Sequence, residues 1–130
     1  MTDEPCIFCN PDLADVLFEN GAWYARADRY PVADGHTLLI PFRHVASFFD
    51  LAPGERDTFF EIVDLAREWI GERYYPGGYN IGVNIGKPAG QAVMHCHVHV
   101  VPRYEGDQRE NGWRGGIRRV VPAGDYRDHM

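Results

Sequence analysis

The chain has 130 residues, 45% hydrophobic content and a formal net charge of −6. That length suits one domain with an ordinary core. The acidic balance excludes a broad basic footprint for large nucleic acids, while a small anionic ligand stays compatible because local donors can hold a phosphate. No apolar run approaches a membrane span, and the opening MTDEPCIFCN is acidic, without the apolar stretch of a signal peptide. Three cysteines, two of them in CIFC, do not read as a secreted disulfide framework. The expectation is a reduced, cytoplasmic protein with no membrane partner.

In chain order, VLFENGAWYARA holds Asn20-Gly21 between two β-rich runs, which predicts a hairpin. RYPVADG reads as a loop, and HTLLI, residues 36–40, as a third strand stopped by Pro41. FRHVASFF suits one short helical turn. A long helix is predicted from Pro53 to Tyr74, with Phe59, Val63, Ala66 and Ile70 at helical spacing and Ile62 and Trp69 widening the stripe. Glu55, Asp57, Glu61 and Asp64 crowd its first half, where the helix dipole favours them. YPGG ends it. YNIGVNIG is a fourth strand and HCHVHVV a fifth, stopped by Pro102, with the glycine-rich GKPAGQAV between them. Residues 108–130 are expected to be a partly irregular tail, with His129 disordered. The expected fold class is α+β: a single domain over 1–130, with about five antiparallel strands, one long helix and a short one.

MHCHVHVVPR carries three of the six histidines, His95, His97 and His99, at alternate positions. On a strand these share one face, and Cys96, Val98 and Val100 share the other as core. The spacing admits three readings. The imidazoles are structural, or they chelate one catalytic metal, or one is a nucleophile whose far nitrogen is tied to an acceptor. Cys6 and Cys9 form half of a possible zinc site.

Together these blocks resemble the histidine triad (HIT) superfamily of nucleotide hydrolases and transferases, in its zinc-bearing prokaryotic form. The resemblance rests on CIFC, YPVADGHTLLIPFRH (30–44), NIG (84–86) and GQAVMHCHVHVVPR (90–103), in that order. It covers roughly residues 5–107. It implies a HIT-like sheet and helix, and a twofold homodimer whose sheets join across the long helix and a central strand. It implies attack by His97 on the α-phosphate of an adenosine-type nucleotide, a covalent nucleotidyl-histidine, and release of a nucleoside monophosphate by water. Transfer to phosphate, or slow turnover in a nucleotide-binding regulator, are the alternatives.

By the same resemblance His99 donates to a phosphate oxygen, and His36 supports the nucleophile from the next strand. Asp28 binds the ribose hydroxyls, and Ile7 and Phe8 line the base slot. Asn84 and Gln91, with the backbone of Ala92 and Val93, hold the phosphates or leaving group. Ala92 stands where many relatives have a hydroxyl, which puts phosphoramidate cleavage in doubt, since a departing amine needs a proton. Cys6, Cys9, His44 and His95 are the implied ligands of a structural zinc ion of the Cys2His2 type. Trp113 either reaches the partner's active site or covers its own core.

Overall fold

The computed structural model describes residues 6–107 and 116–121. Trp113, His129 and most of the expected 108–130 tail lie outside them. Five antiparallel strands form one sheet: β1 (Phe18–Glu19), β2 (Trp23–Ala27), β3 (Thr37–Pro41), β4 (Gly78–Val83) and β5 (Val98–Arg103), in the spatial order β1-β2-β3-β5-β4. Two helices, α1 (Pro53–Asp57) and α2 (Phe59–Tyr74), connect β3 to β4. The expected α+β class and strand count are present.

The β1–β2 turn is shifted by one residue from the Asn20-Gly21 reading. The Asn20 N–H donates to the Trp23 carbonyl at 3.0 Å, so the two-residue loop is Gly21-Ala22. Gly21 takes φ +93°, the left-handed backbone that a type II′ turn demands at its first central position. The Asn20 side-chain carbonyl accepts from the N–H groups of Ala22 and Trp23, so this residue shapes the turn from its edge.

The single long helix predicted from Pro53 is interrupted at Thr58 (φ −104°, ψ 3°). Two donors from the hairpin take helix carbonyls there. The Asn20 amide reaches the Thr58 carbonyl at 3.0 Å, and the Trp23 indole N–H reaches the Glu55 carbonyl at 2.8 Å. The Thr58 hydroxyl also turns back to the Gly54 carbonyl at 2.8 Å. Local periodicity is unbroken across this point; the break is imposed by tertiary hydrogen bonds. At the other end α2 stops at Tyr75, which is left-handed (φ 52°), and Pro76 cannot continue the helix.

The main core lies between the sheet and α2. Trp23, Ala25, Leu39, Cys96, Val98 and Val100 meet Ile62, Ala66 and Ile70 there. Burial of such side chains, at roughly 25 cal/mol per Å² of apolar surface, supplies the main drive to fold. Burial, then the charge of Glu55, push the Cys96 thiol up to about 12, so Cys96 is core as expected. A second, smaller cluster of Phe8, Tyr24, Leu38 and Ile40 lies apart from it, with Cys6, Val16, Phe42 and Val93 packed around. In β5, His99 pairs with Leu38 of β3 and with Gly82 of β4, so the histidine sits over the middle of the sheet. β4 is an edge strand of the sheet.

Candidate active site and metal centre

The fifth strand starts later than its sequence suggests. Pairing begins at Val98 and runs through Pro102 to Arg103. Ahead of it, the Cys96 N–H bonds to the Val45 carbonyl at 2.7 Å, so this stretch is drawn toward the loop after β3. His95 and His97 therefore stand off the end of the strand and only His99 belongs to the ladder. Their burial differs accordingly: His95 is fully enclosed and His97 is 9% exposed.

Each inner imidazole has a neighbour that fixes its tautomer. A carbonyl only accepts, so the 2.8 Å contact from His97 Nδ1 to the His95 carbonyl puts the proton on Nδ1. Nε2 of His97 then carries a lone pair. The ring lies against Phe8, with centroids 5.1 Å apart, and beside His99 at 5.3 Å. His95 is held the other way round. Its Nε2 donates to the Pro41 carbonyl at 2.8 Å, which leaves Nδ1 as a lone pair.

That lone pair faces three others. His95 Nδ1 is 3.3 Å from Cys6 Sγ, 3.6 Å from Cys9 Sγ and 3.2 Å from His44 Nδ1, and Cys9 Sγ is 3.1 Å from His44 Nδ1. Zinc bonds of about 2.3 Å to sulfur and about 2.0 Å to nitrogen give tetrahedral edges of roughly 3.3–3.8 Å. The donor set is thus a Cys2His2 cage of the right size, with a backbone carbonyl orienting the buried histidine as outer ligands commonly do. Burial, then Cys6, push the Cys9 thiol up; a divalent cation would instead favour both thiolates.

A second cluster lies on the far side of His97. His36 Nδ1 receives the Val32 N–H at 3.2 Å, so His36 carries its proton on Nε2. That nitrogen is 2.9 Å from His99 Nδ1, which must accept, leaving His99 with an Nε2–H. Asp28 Oδ2 is 3.4 Å from His36 Nε2 and 3.7 Å from His99 Nδ1, while its Oδ1 accepts from the Tyr30 N–H at 2.8 Å. Burial lowers the pKa of both His36 and His99; His97 and His36 lower His99 further, and Asp28 opposes the shift in each.

Residues 12–106 match the HIT domain. The chain belongs to the HIT family. Over 117 residues this HIT domain is 38% identical to the AP-4-A phosphorylase of Mycobacterium tuberculosis, covering 86% of this chain and 60% of that protein. Over 101 residues it is 40% identical to the asymmetrical bis(5'-nucleosyl)-tetraphosphatase of Schizosaccharomyces pombe, covering 78% of this chain and 56% of that protein. It spans less than two thirds of either enzyme. The crystal structure of a zinc-bound histidine triad family protein from Mycobacterium smegmatis is 32% identical and matches with a TM-score of 0.69, over 79% of this chain and 78% of that one.

The other residues singled out in the HIT motifs fall in varied places. Phe8 is buried, and its carbonyl accepts from the Tyr24 hydroxyl at 2.6 Å. Ile7 is 57% exposed beside it. Asn84 lines a cavity of about 570 Å³ with His99, Pro88, Ala89, Ile117 and Val120. Gln91 is buried with its capacity met inside the loop. Its amide donates to the Ala46 and Val93 carbonyls, and its side-chain oxygen accepts from the Gly86 N–H. It shapes the loop rather than offering an amide to a ligand. Ala92 is exposed and Val93 half-buried on the same loop. His36 makes its short contact with His99, at 2.9 Å. The backbone groups of Val32, Pro41 and His95 that set the tautomers carry no mark in the sequence, because every residue type supplies them.

Proposed function

We propose that this protein is a nucleotide hydrolase that acts at the α-phosphate of adenosine-type substrates through a covalent nucleotidyl-His97. The observation that carries the reading is the His97 ring, with Nδ1–H held by the His95 carbonyl at 2.8 Å and the Nε2 lone pair without a hydrogen-bond partner among the described residues. In the first step Nε2 forms a bond to phosphorus and the bond from phosphorus to the leaving group breaks. In the second, water attacks, the phosphorus–nitrogen bond breaks, and the monophosphate leaves. Splitting one hard displacement into two easier ones is the gain of nucleophilic catalysis. The neutral imidazole, with a lone pair on the attacking nitrogen, is the nucleophilic form.

His99 presents its Nε2–H to a phosphate oxygen, where charge grows in the transition state. His36 stands behind it. Phe8 and Ile7 take the base side, and Asn84 with the backbone of the Gln91–Val93 loop takes the leaving-group side. Ala92 supplies no hydroxyl proton, which favours polyphosphate leaving groups over amines, because a polyphosphate departs without needing one. The names of the two fungal and mycobacterial relatives support a dinucleoside polyphosphate substrate. The mycobacterial name also favours a second reading, transfer to phosphate in place of water.

Cys6, Cys9, His44 and His95 hold a structural zinc ion in this proposal; it closes the N-terminal segment over the sheet, and Phe8 with it. Two copies join into a homodimer across the long helix and the edge strand β4, which becomes a central strand of the joined sheet.

Replacing His97 with Asn tests the proposal. Turnover of diadenosine tri- and tetraphosphate should fall on the order of 10⁴-fold or more, with nucleotide binding retained. A near-normal rate in that variant sinks the mechanism. Added phosphate, with the products resolved, separates hydrolysis from phosphorolysis, and an adenosine phosphoramidate tests the leaving-group preference.

A further inference from the structure

Beyond β5, Gly116–Val120 forms a short 3₁₀ helix that lies against β4. Two close approaches seat it there. A Cβ added at Gly116 would meet Asn80 Nδ2 at 3.6 Å, and one added at Gly82 would meet Ile117 Cδ1 at 3.3 Å. Gly82 pairs with His99 in the ladder. Ile117 therefore stands beside the His99 position, over a strand residue that has no side chain of its own. A glycine inside a strand commonly marks such a close approach. Val98 and Val100 of β5 face α2 in the core, so His99, Gly82 and this short helix share the opposite face of the sheet.

The cavity of about 570 Å³ that His99 lines is enclosed between the two, and its size is that of a small-molecule site. Its floor is His99 and Val101 of β5 with their β4 partners Gly82 and Asn80. Ile117 and Val120 line its outer side, and Pro88 and Ala89 line it from the β4–β5 loop. Among the described residues no Lys, Arg, Asp or Glu lines it. The charged groups of this face, Arg103, Asp107 and Arg119, line the adjoining hollow instead.

We propose that this cavity is a compartment for the second nucleoside of a dinucleoside polyphosphate, with Ile117 as the residue that distinguishes such a leaving group from a bare polyphosphate. The proposal rests on the transfer to His97 set out above. Phe8 lies against the His97 ring, on the side given to the first base. His99 is the other neighbour of that ring, and it opens into the cavity. A chain that departs from phosphorus past His99 ends there. Charge then selects the occupant. A bare polyphosphate carries several negative charges, and taking them from water to walls without a cation is costly. A nucleobase is neutral. Its faces bury apolar surface against Ile117 and Val120, and the Asn84 amide offers a donor and an acceptor to its edge.

Two measurements on the full chain test the proposal. The first compares diadenosine tetraphosphate with adenosine 5′-tetraphosphate, which has the same phosphate chain and no second nucleoside. Ile117 is 59% exposed and outside the core, so its truncation spares the fold. Ile117→Ala should lower kcat/KM on the first substrate roughly tenfold, the worth of a lost contact in an apolar pocket, and leave the second within about twofold. Equal losses on both substrates, or no loss on the first, overturn the proposal. The second is a methyl NMR titration of the His97→Asn variant. The Ile117 and Val120 signals should shift with diadenosine tetraphosphate and stay in place with AMP. Signals that ignore the dinucleotide, or move equally with AMP, overturn the proposal. If the wild type cleaves neither substrate, the functional reading at His97 fails and the titration alone decides: shifts keep the compartment as a nucleoside site, and silence removes it.

Discussion

Two clusters of potential metal ligands flank His97. Cys6, Cys9, His44 and His95 lie on one side, Asp28, His36 and His99 on the other, and within each set the donor atoms are no more than 4.8 Å apart. Distance does not separate them; proton placement does. The Pro41 carbonyl takes the Nε2–H of His95, which frees Nδ1 as a ligand. The Val32 N–H fills His36 Nδ1, so the nitrogen facing the cluster keeps its proton and cannot bind a cation. The first cluster has the donor set of a metal site, and the second passes a hydrogen bond. In each case one backbone group, on the far side of a ring, makes the choice.

Three substitutions break this comparison in different places. His97→Asn should cost about 10⁴-fold or more in rate while leaving zinc at one ion per chain by elemental analysis. A variant that loses both would mean that His97 belongs to the metal cluster. His99→Ala should cost about 10²–10³-fold, the usual loss of one preorganised donor, again at full zinc content. Cys6→Ser should do the reverse and empty the metal site. With free zinc roughly 1,000-fold above its dissociation constant, metal binding adds about 4 kcal/mol, or roughly 15 °C in Tm at about 4 °C per kcal/mol. A calorimetric scan that shows no difference between the variant and the zinc-loaded wild type contradicts the structural role.

Smaller effects sharpen the second cluster. Burial holds His36 and His99 below the ordinary histidine pKa of about 6.5. Below that pH the unfolded chain binds more protons than the folded one. The stability from these two groups is complete above about pH 6.5 and is lost as pH falls through their lowered values. Urea melts of metal-free protein should show a falling midpoint between about pH 7 and pH 5; a flat profile speaks against burial of neutral rings. Gly35→Ala, next to His36, should cost about 1–3 kcal/mol, as left-handed backbone does in a residue other than glycine. Gly35 has φ +89°, and an added Cβ would meet the Tyr74 ring at 2.9 Å. An unchanged Tm in that variant would mean that the loop before His36 yields easily.

How much of this was legible in the sequence depends on what kind of group carries it. The alternation of His95, Cys96, His97, Val98 and His99 separated histidines from core residues correctly, since Cys96 and Val98 are buried against the helix side. The family resemblance, not spacing, implied that Cys6, Cys9, His44 and His95 come together, and they do. The proton pattern was not legible, because it is written in carbonyls and N–H groups. Nor was the status of Gln91, whose side chain is consumed by three backbone partners. The same reason explains the helix break: nothing within residues 53–74 announces it, since its donors come from the hairpin.

That break has a consequence for how the chain assembles. Asn20 and Trp23 hold Thr58 and Glu55 across 38 and 32 residues of sequence. The first turns of the helical region reach their final shape only once the hairpin has formed, so the two segments open and close as one cooperative unit. Amide hydrogens of residues 59–62 and of β2 should exchange with deuterium at a common rate, and Asn20→Ala should speed both together.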